Sequence, residues 1–290
     1  MIEYVEGDIF NSPAQVIVNT VNTVGVMGKG LALSFKKRYP QMFEVYRKAC
    51  EKHQFSIGKL MIYYAPDHWI LLFPTKMNWR NPSKIEYLEE GLRKFVNTYA
   101  EKRIASIAFP KLGCGNGELS WTDVKPVMER SLKSLPITIY IYVGPDKTQT
   151  PEHIAQQETI EWLKKNARDM SFNGVCDDLK HGYSLLPYEF LFNGNMLKFD
   201  WIDQPTVLYP DGKQIILSED NMFRAWDTIR NQGIIITPED DEHTALFYAL
   251  LCSKGYLSPI RILEPHQIDM KEADGYQINA GYGRAFALQG

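Results

Sequence analysis

Through residues 1–143, short apolar runs alternate with segments whose apolar positions recur every three or four residues. Ile2–Val5, Ala14–Val18, Trp69–Phe73, Ala105–Phe109 and Ile137–Val143 are β-branched or aromatic and bounded by turn or charged residues, which predicts buried strands. Between them the helical period predicts Leu31–Tyr39, stopped by Pro40; Gln41–His53, with Phe43, Tyr46 and Ala49 on one face; Pro82–Lys102, with Ile85, Leu88, Leu92 and Phe95; and Thr122–Leu135, with Val124, Val127 and Leu132. Alternation of this kind predicts an α/β fold: a largely parallel sheet with helices on both faces.

The pattern changes after Val143. Gly144–Pro151 holds two prolines, a glycine and several polar residues, which reads as a linker between a domain at 1–146 and a second at 152–290. Past it, Pro151 starts a helix through Glu152–Asp169, and Val207–Tyr209 with Ile215–Leu217 form a hairpin around Asp211-Gly212. Ser218 caps a helix Glu219–Asn231 that ends at Gly233, and another helix covers Pro238–Lys254. This mixture predicts a smaller α+β domain. The stretch Tyr276–Gly290 gives no clear element, and the chain has no internal repeat.

Charge sharpens the division. The 290 residues carry a net charge of −3, but residues 1–150 hold 20 Lys and Arg against 14 Asp and Glu, and residues 151–290 hold 12 against 21. The halves are thus +6 and −9, which suits two different partners, although a plain surface imbalance gives the same numbers. No apolar run reaches the roughly 18 residues needed to cross a bilayer, and the start MIEYVEGDIF has neither a basic nor an apolar leader region, so a cytoplasmic protein with no membrane association is expected. Cys50, Cys114, Cys176 and Cys252 lie far apart with no nearby ligand-type spacing, and the six histidines are scattered; free thiols and no metal are expected. The acidic run Glu239–Glu242 before a helix is most simply a favourable pairing with the helix dipole. The aromatic set Tyr183, Tyr188, Phe190, Phe192 and Trp201 reads as core rather than as a stacking platform, given the negative local charge.

Three stretches of the first half hold residue types that packing does not need. In Thr20–Gly30, glycines at 25, 28 and 30 let the backbone approach a ligand, the amides at the start of the next helix face an anion, and Asn19 and Asn22 stand beside them. A tight turn without a ligand explains the same glycines. Pro110–Gly117 is a second glycine-rich loop after a buried strand, and two such loops at strand carboxyl ends form one crevice whose amides suit a diphosphate. Neither loop has the spacing GxGxxG or GxxxxGK[ST], which disfavours a dinucleotide fold and a P-loop ATPase. In Phe73–Arg80, Lys76 follows a buried strand among apolar residues, where desolvation favours a neutral, nucleophilic amine; an ordinary surface lysine is the alternative. Asp8, after the first strand, is either a turn residue or a ligand contact.

Taken together, Glu6-Gly7-Asp8-Ile9, Val18–Asn22 with Gly25–Ala32, Phe73-Pro74-Thr75-Lys76 and Leu112-Gly113-Cys114-Gly115 resemble the macrodomain family. The resemblance is to the branch that holds DarG-type antitoxins and the terminal ADP-ribose protein glycohydrolase, and it covers residues 1–143. It implies a three-layer α/β/α fold with a mixed, mostly parallel sheet, and a site for ADP-ribose as ligand or product with no further cofactor. By resemblance, Asp8 accepts from the adenine amino group with the Ile9 amide nearby, Asn22 lies against the distal ribose, and Thr20, Thr75 and Leu112 are further ligand-binding positions. Gly28, Lys29, Gly30, Leu31 and Ala32, and Gly113, Cys114, Gly115, Asn116 and Gly117, hold the diphosphate. Lys76 is implied to be catalytic, attacking the anomeric carbon of the distal ribose to leave a covalent lysyl intermediate. Trp79 and Arg80 are expected to meet the substrate's nucleobase or phosphate.

One departure matters. The protein-directed glycohydrolase has an acidic residue at the position that aligns with Gly117; this chain has none there, as in DarG-type sequences, although Glu118 follows. The resemblance therefore implies a glycohydrolase acting on ADP-ribose linked to thymidine in single-stranded DNA, an antitoxin to a DarT-type toxin. The +6 half suits a phosphate backbone, and the −9 half, residues 151–290, suits the toxin as a basic protein partner. The alternatives are a module that binds ADP-ribose without hydrolysis, and a hydrolase of ADP-ribosylated protein or O-acetyl-ADP-ribose.

Overall fold

The computed structural model describes residues 1–144, 154–185, 188–265 and 270–280. The chain divides into two compact units, Met1–Thr159 and Ile160–Gly290. Most of the expected linker, residues 145–151, lies outside the described residues.

The first unit contains β1 (Ile2–Val5), β2 (Val16–Asn22), α1 (Gly30–Arg38), α2 (Pro40–Glu51), β3 (Met61–Tyr64), β4 (Trp69–Lys76), α3 (Ile85–Thr98), β5 (Ser106–Pro110), α4 (Trp121–Leu132) and β6 (Thr138–Tyr142). The strands form one sheet in the order β1-β6-β5-β2-β4-β3, parallel throughout except that β3 runs antiparallel to β4. Alternation along β2 and β4 divides the core between the two faces. Val16, Val18, Leu71 and Phe73 meet Leu88, Leu92 and Phe95 of α3 and Val124, Met128 and Leu132 of α4. Ile17, Val21, Ile70 and Leu72 meet Phe35 of α1 and Met42, Phe43 and Tyr46 of α2. The result is the three-layer α/β/α arrangement expected from the pattern.

Packing between layers is tight enough to require glycine at one helical position. A Cβ on Gly91 of α3 would lie 2.2 Å from Phe73 Cζ, at a ring that is fully buried on β4. Gly91→Ala is therefore expected to destabilise the first unit by about 1–3 kcal/mol through overpacking, read as a lowered denaturation midpoint.

Two strands run further than their apolar runs suggest. β2 continues through the polar residues Asn19, Thr20 and Asn22 because β4 pairs with it to the end, Thr20 opposite Phe73 and Asn22 opposite Lys76. Pro74–Lys76, expected as a loop, is the end of β4; the register shift between Val21 and Asn22 accommodates the proline, which gives no N–H to the ladder. The edge strand β3 carries no strong alternation and is half-buried.

In the second unit, α5 (Gln156–Lys165), which spans the division, is followed by a 3-10 turn at Ala167–Asp169 and by α6 (Phe172–Leu185). A four-stranded antiparallel sheet follows, in the order β10-β9-β8-β7, from β7 (Tyr188–Phe192), β8 (Asn195–Trp201), β9 (Pro205–Leu208) and β10 (Gln214–Ile216). Its last two strands are the hairpin expected around Asp211-Gly212. Ser218 caps α7 (Glu219–Gln232), its Oγ accepting from the Asn221 N–H at 3.3 Å, and Gly233 ends it at φ +85°. β11 (Ile234–Ile236), β12 (Leu257–Pro265) and β13 (Met270–Ile278) form a three-stranded antiparallel sheet with β13 central. α8 (Glu242–Ser253) starts later than Pro238, because Asp241 caps it by accepting from Thr244 N–H at 3.1 Å and Oγ1–H at 2.6 Å. Tyr188 and Phe190 are core residues as expected, whereas Tyr183, Phe192 and Trp201 are half-buried. No helix among the described residues is long and apolar enough to cross a membrane.

Lys254, just past α8, is half-buried over the Tyr188 ring. Burial, reinforced by nearby Lys164, pushes its ammonium down from 10.5 to about 8. Between pH 8 and 10.5 the unfolded chain binds the proton and the folded unit does not, so this lysine makes stability rise with pH across that window. Lys254→Met is expected to flatten that rise and to raise the melting temperature at pH 7, measured by thermal denaturation of wild type and variant across pH 7–10.

Candidate functional site

The carboxyl ends of the parallel strands define one edge of the first sheet, where open α/β sheets carry their ligands. Three segments meet at this edge: Asn22–Ala32 after β2, Lys76 at the end of β4, and Pro110–Gly117 after β5.

Asn22 shapes the first segment. Its Oδ1 accepts from the N–H groups of Val24 and Val26, each at 3.2 Å, and its Nδ2 donates to Val26 O at 2.6 Å. Tyr46 of α2 donates its O–H to Asn22 O at 2.7 Å, with Oδ1 at 3.1 Å. Burial pushes the Tyr46 phenol well above its ordinary value, so it remains a donor. Only 6% exposed, Asn22 has its side chain engaged inside the loop it supports. Beneath it, the fully buried Asn19 donates Nδ2 to Met27 Sδ at 3.9 Å. The segment then enters α1 at Gly30, φ +57°, with no side chain capping the helix. The N–H groups of Gly30, Leu31 and Ala32 have no acceptor within the helix, so this end can receive an anion.

The second loop is a run of tight turns. Cys114 N–H donates to Lys111 O at 3.2 Å, Glu118 N–H to Gly115 O at 3.1 Å and Leu119 N–H to Gly113 O at 3.0 Å. Leu112 is fully buried in the core, so this position can offer a ligand only its backbone. Gly113 has φ +68°, and Gly115 stands in open space. At Gly117 a Cβ would lie 2.3 Å from both Gly113 O and Ser83 Oγ. No side chain, and so no carboxylate, fits there unless the loop moves. Glu118 beside it is exposed, at φ +61°.

Lys76 joins the two loops. It is 6% exposed, and its Nζ donates to the backbone carbonyl of Asn116. On the other side of Asn116, the side-chain Nδ2 lies 2.9 Å from where a Cβ on Gly30 would stand. Asn116 is therefore the point at which the lysine and both glycine loops come together. Thr20 is half-buried and Thr75 buried on the paired strands beneath.

Other expected residues stand apart from this centre. Asp8 is exposed after β1, on the far side of β6 and β5, and its Oδ1 accepts from Phe10 N–H at 3.0 Å, capping the 3-10 turn Ile9–Asn11; Ile9 is buried. Trp79 corrects the sequence reading. It is fully buried with the Arg80 guanidinium stacked 4.1 Å from its ring centroid, so its ring has no face for a nucleobase, and Arg80 is itself only 7% exposed. Tyr46 and Ser83 were not picked out by sequence: one reads as an ordinary core position on a helix face, the other as a loop serine. Among the described residues, no group of three His, Cys, Asp or Glu side chains is arranged to hold a metal ion.

Comparison with known proteins adds to this geometry. The Macro domain family model matches residues 18–128. A DNA ADP-ribosyl glycohydrolase of Thermus aquaticus is 45% identical over 147 residues, 49% of this chain and 41% of that protein. A DNA ADP-ribosyl transferase-DNA ADP-ribosyl glycohydrolase fusion protein of Thermosipho africanus is 41% identical over 165 residues, 50% of this chain and 42% of that one. Among solved structures, the macrodomain of Thermus aquaticus DarG matches at 45% identity and a TM-score of 0.47, covering 49% of this chain and 97% of that one. The chain thus spans about two fifths of the length of these curated relatives.

Proposed function

Residues 18–128 of this chain belong to the macrodomain family, and on that premise we propose that the first unit removes ADP-ribose from single-stranded DNA modified on thymidine, with Lys76 as nucleophile. The observation that carries the reading is Lys76, a residue only 6% exposed whose Nζ is held on Asn116 O where the two glycine loops meet. The loops supply N–H groups for a diphosphate, and a lysine beside them is placed to reach the distal ribose. Identity to relatives named DNA ADP-ribosyl glycohydrolase supports the same reaction.

In the proposed reaction the neutral amine attacks C1″ of the distal ribose. The C–N bond forms as the bond from C1″ to the base breaks; its electron pair leaves with the base, which takes up the proton that the amine gives up. Water then adds at C1″ and displaces Nζ, which regains its proton state as ADP-ribose departs. Neither step of this scheme uses a carboxylate at Gly117, where no side chain fits unless the loop moves. Asp8 and the Ile9 amide are assigned to the adenine, at the far end of the crevice from Lys76.

The test is release of ADP-ribose by the intact chain from a single-stranded, thymidine-modified oligonucleotide, with a carboxylate-linked ADP-ribosylated protein as comparison. Release from the oligonucleotide supports the reading. Binding of free ADP-ribose with no release from either substrate would make the unit a reader.

The second unit is assigned to a basic protein partner, a DarT-type transferase. Its charge, −7 over residues 160–290, favours a partner of opposite sign, and in the Thermosipho protein the transferase and glycohydrolase names are joined in one chain. Capture of such a transferase by the full chain, and equally by a chain ending at residue 159, would overturn this assignment.

A further inference from the structure

The segment from Lys76 to α3 is fixed at both ends. At its start, Thr23 of the first loop donates both its N–H, at 3.2 Å, and its Oγ1–H, at 2.7 Å, to Met77 O. At its end, Ser83 N–H donates to Gly117 O at 3.0 Å. With Lys76 Nζ on Asn116 O, this closes a ring of chain: Lys76, the segment to Ser83, Gly117, Asn116 and back to Lys76.

Ser83 has more to offer than its amide. Its side chain is 4% exposed, and its Oγ has no hydrogen-bond partner. A buried hydroxyl without a partner costs folding free energy, so its presence is not accounted for by stability. The hydroxyl is aimed at the second glycine loop: Ser83 Oγ and Gly113 O each lie 2.3 Å from the single point where a Gly117 Cβ would stand, so the two oxygens are at most twice that distance apart. Gly113 O already accepts from Leu119 N–H and has a second lone pair free to accept. A small inward movement of the loop, of the kind that seating a diphosphate on its amides would favour, brings the hydroxyl onto that carbonyl.

We propose that Ser83 is a positioning residue, a latch whose O–H donates to Gly113 O when the loop closes on the diphosphate. This rests on the reading of the loop as an ADP-ribose site, though not on hydrolysis. The latch stabilises the loaded loop alone, so it contributes to affinity and not to the fold of the free protein. A neutral hydrogen bond gained on binding corresponds to a change of about threefold to tenfold in affinity.

The test compares the full chain with Ser83→Ala. Calorimetry with ADP-ribose is expected to give a Kd about threefold to tenfold higher in the variant, with KM for the modified oligonucleotide rising in step and kcat unchanged. The melting temperature of the free variant is expected to equal or exceed that of the wild type, and Ser83→Thr, which keeps the hydroxyl, to recover part of the lost affinity. Wild-type Kd in Ser83→Ala overturns the latch, as does a weaker Kd accompanied by a lower melting temperature of the free protein, which marks a merely structural role. If the wild type itself fails to bind ADP-ribose, the reading of the loop fails with it, and that outcome is distinct from the other two.

Discussion

Lys76→Ala is expected to lose at least about a thousandfold in the release of ADP-ribose from modified DNA, while its affinity for free ADP-ribose changes by no more than a few fold. The asymmetry follows from what the side chain touches. Nζ donates to Asn116 O, a carbonyl within the second loop whose turns are otherwise closed by their own backbone bonds at 3.0–3.2 Å. Removing the amine leaves those turns and the start of α1 in place, so the amides assigned to the diphosphate stay available. It takes away the amine that the proposed reaction joins to C1″ of the distal ribose. Single-turnover release and calorimetry on the same preparation separate the two effects. Equal losses in binding and release would mean that Lys76 holds the loop rather than performs the chemistry.

Gly117→Ala is expected to be the most damaging of the small changes in the loops. Its Cβ would lie 2.3 Å from Gly113 O, which is backbone and already engaged by Leu119 N–H, and 2.3 Å from Ser83 Oγ. Ser83 Oγ can rotate away, but Gly113 O cannot step aside without breaking its turn, so the loop has to shift. Overpacking of this sort costs about 1–3 kcal/mol, which appears as lower stability together with weaker ADP-ribose binding. Gly115→Ala, two residues away, meets nothing within 4 Å and should leave the stability of the free protein unchanged. The pair of melting curves checks the claim: two equal curves would mean that the loop is loose and that the contacts at Gly117 do not constrain it.

Periodicity carried the architecture of the first unit because each element buries a face with the period of its backbone. β1 coincides with the predicted Ile2–Val5, and α3 keeps Leu88, Leu92 and Phe95 on one buried stripe. Caps carried the second unit where side chains close the ends: Ser218 and Gly233 bound α7 as their residue types suggest. The hidden elements are those whose pattern is erased by burial on all sides or by weak alternation. β3 is one, and α6 with its mixed face another. In the site, glycines and the lysine were legible as types, whereas their meeting at Asn116 depends on loops 40 and more residues apart in sequence. Trp79 was misread for the same reason. An aromatic beside a reactive lysine looks like a stacking surface until the fold places it, fully buried, beneath Arg80.

The most direct test of the account is to trap the bond it requires. During turnover of a thymidine-modified oligonucleotide by the intact chain, the lysyl glycosylamine can open its ribose ring to an imine, which a hydride reductant should capture as a secondary amine, and peptide mapping should find the mass of ADP-ribose less one oxygen on the peptide containing Lys76. Release that continues at full rate with no adduct at Lys76, or an adduct on another residue, would contradict Lys76 as the nucleophile.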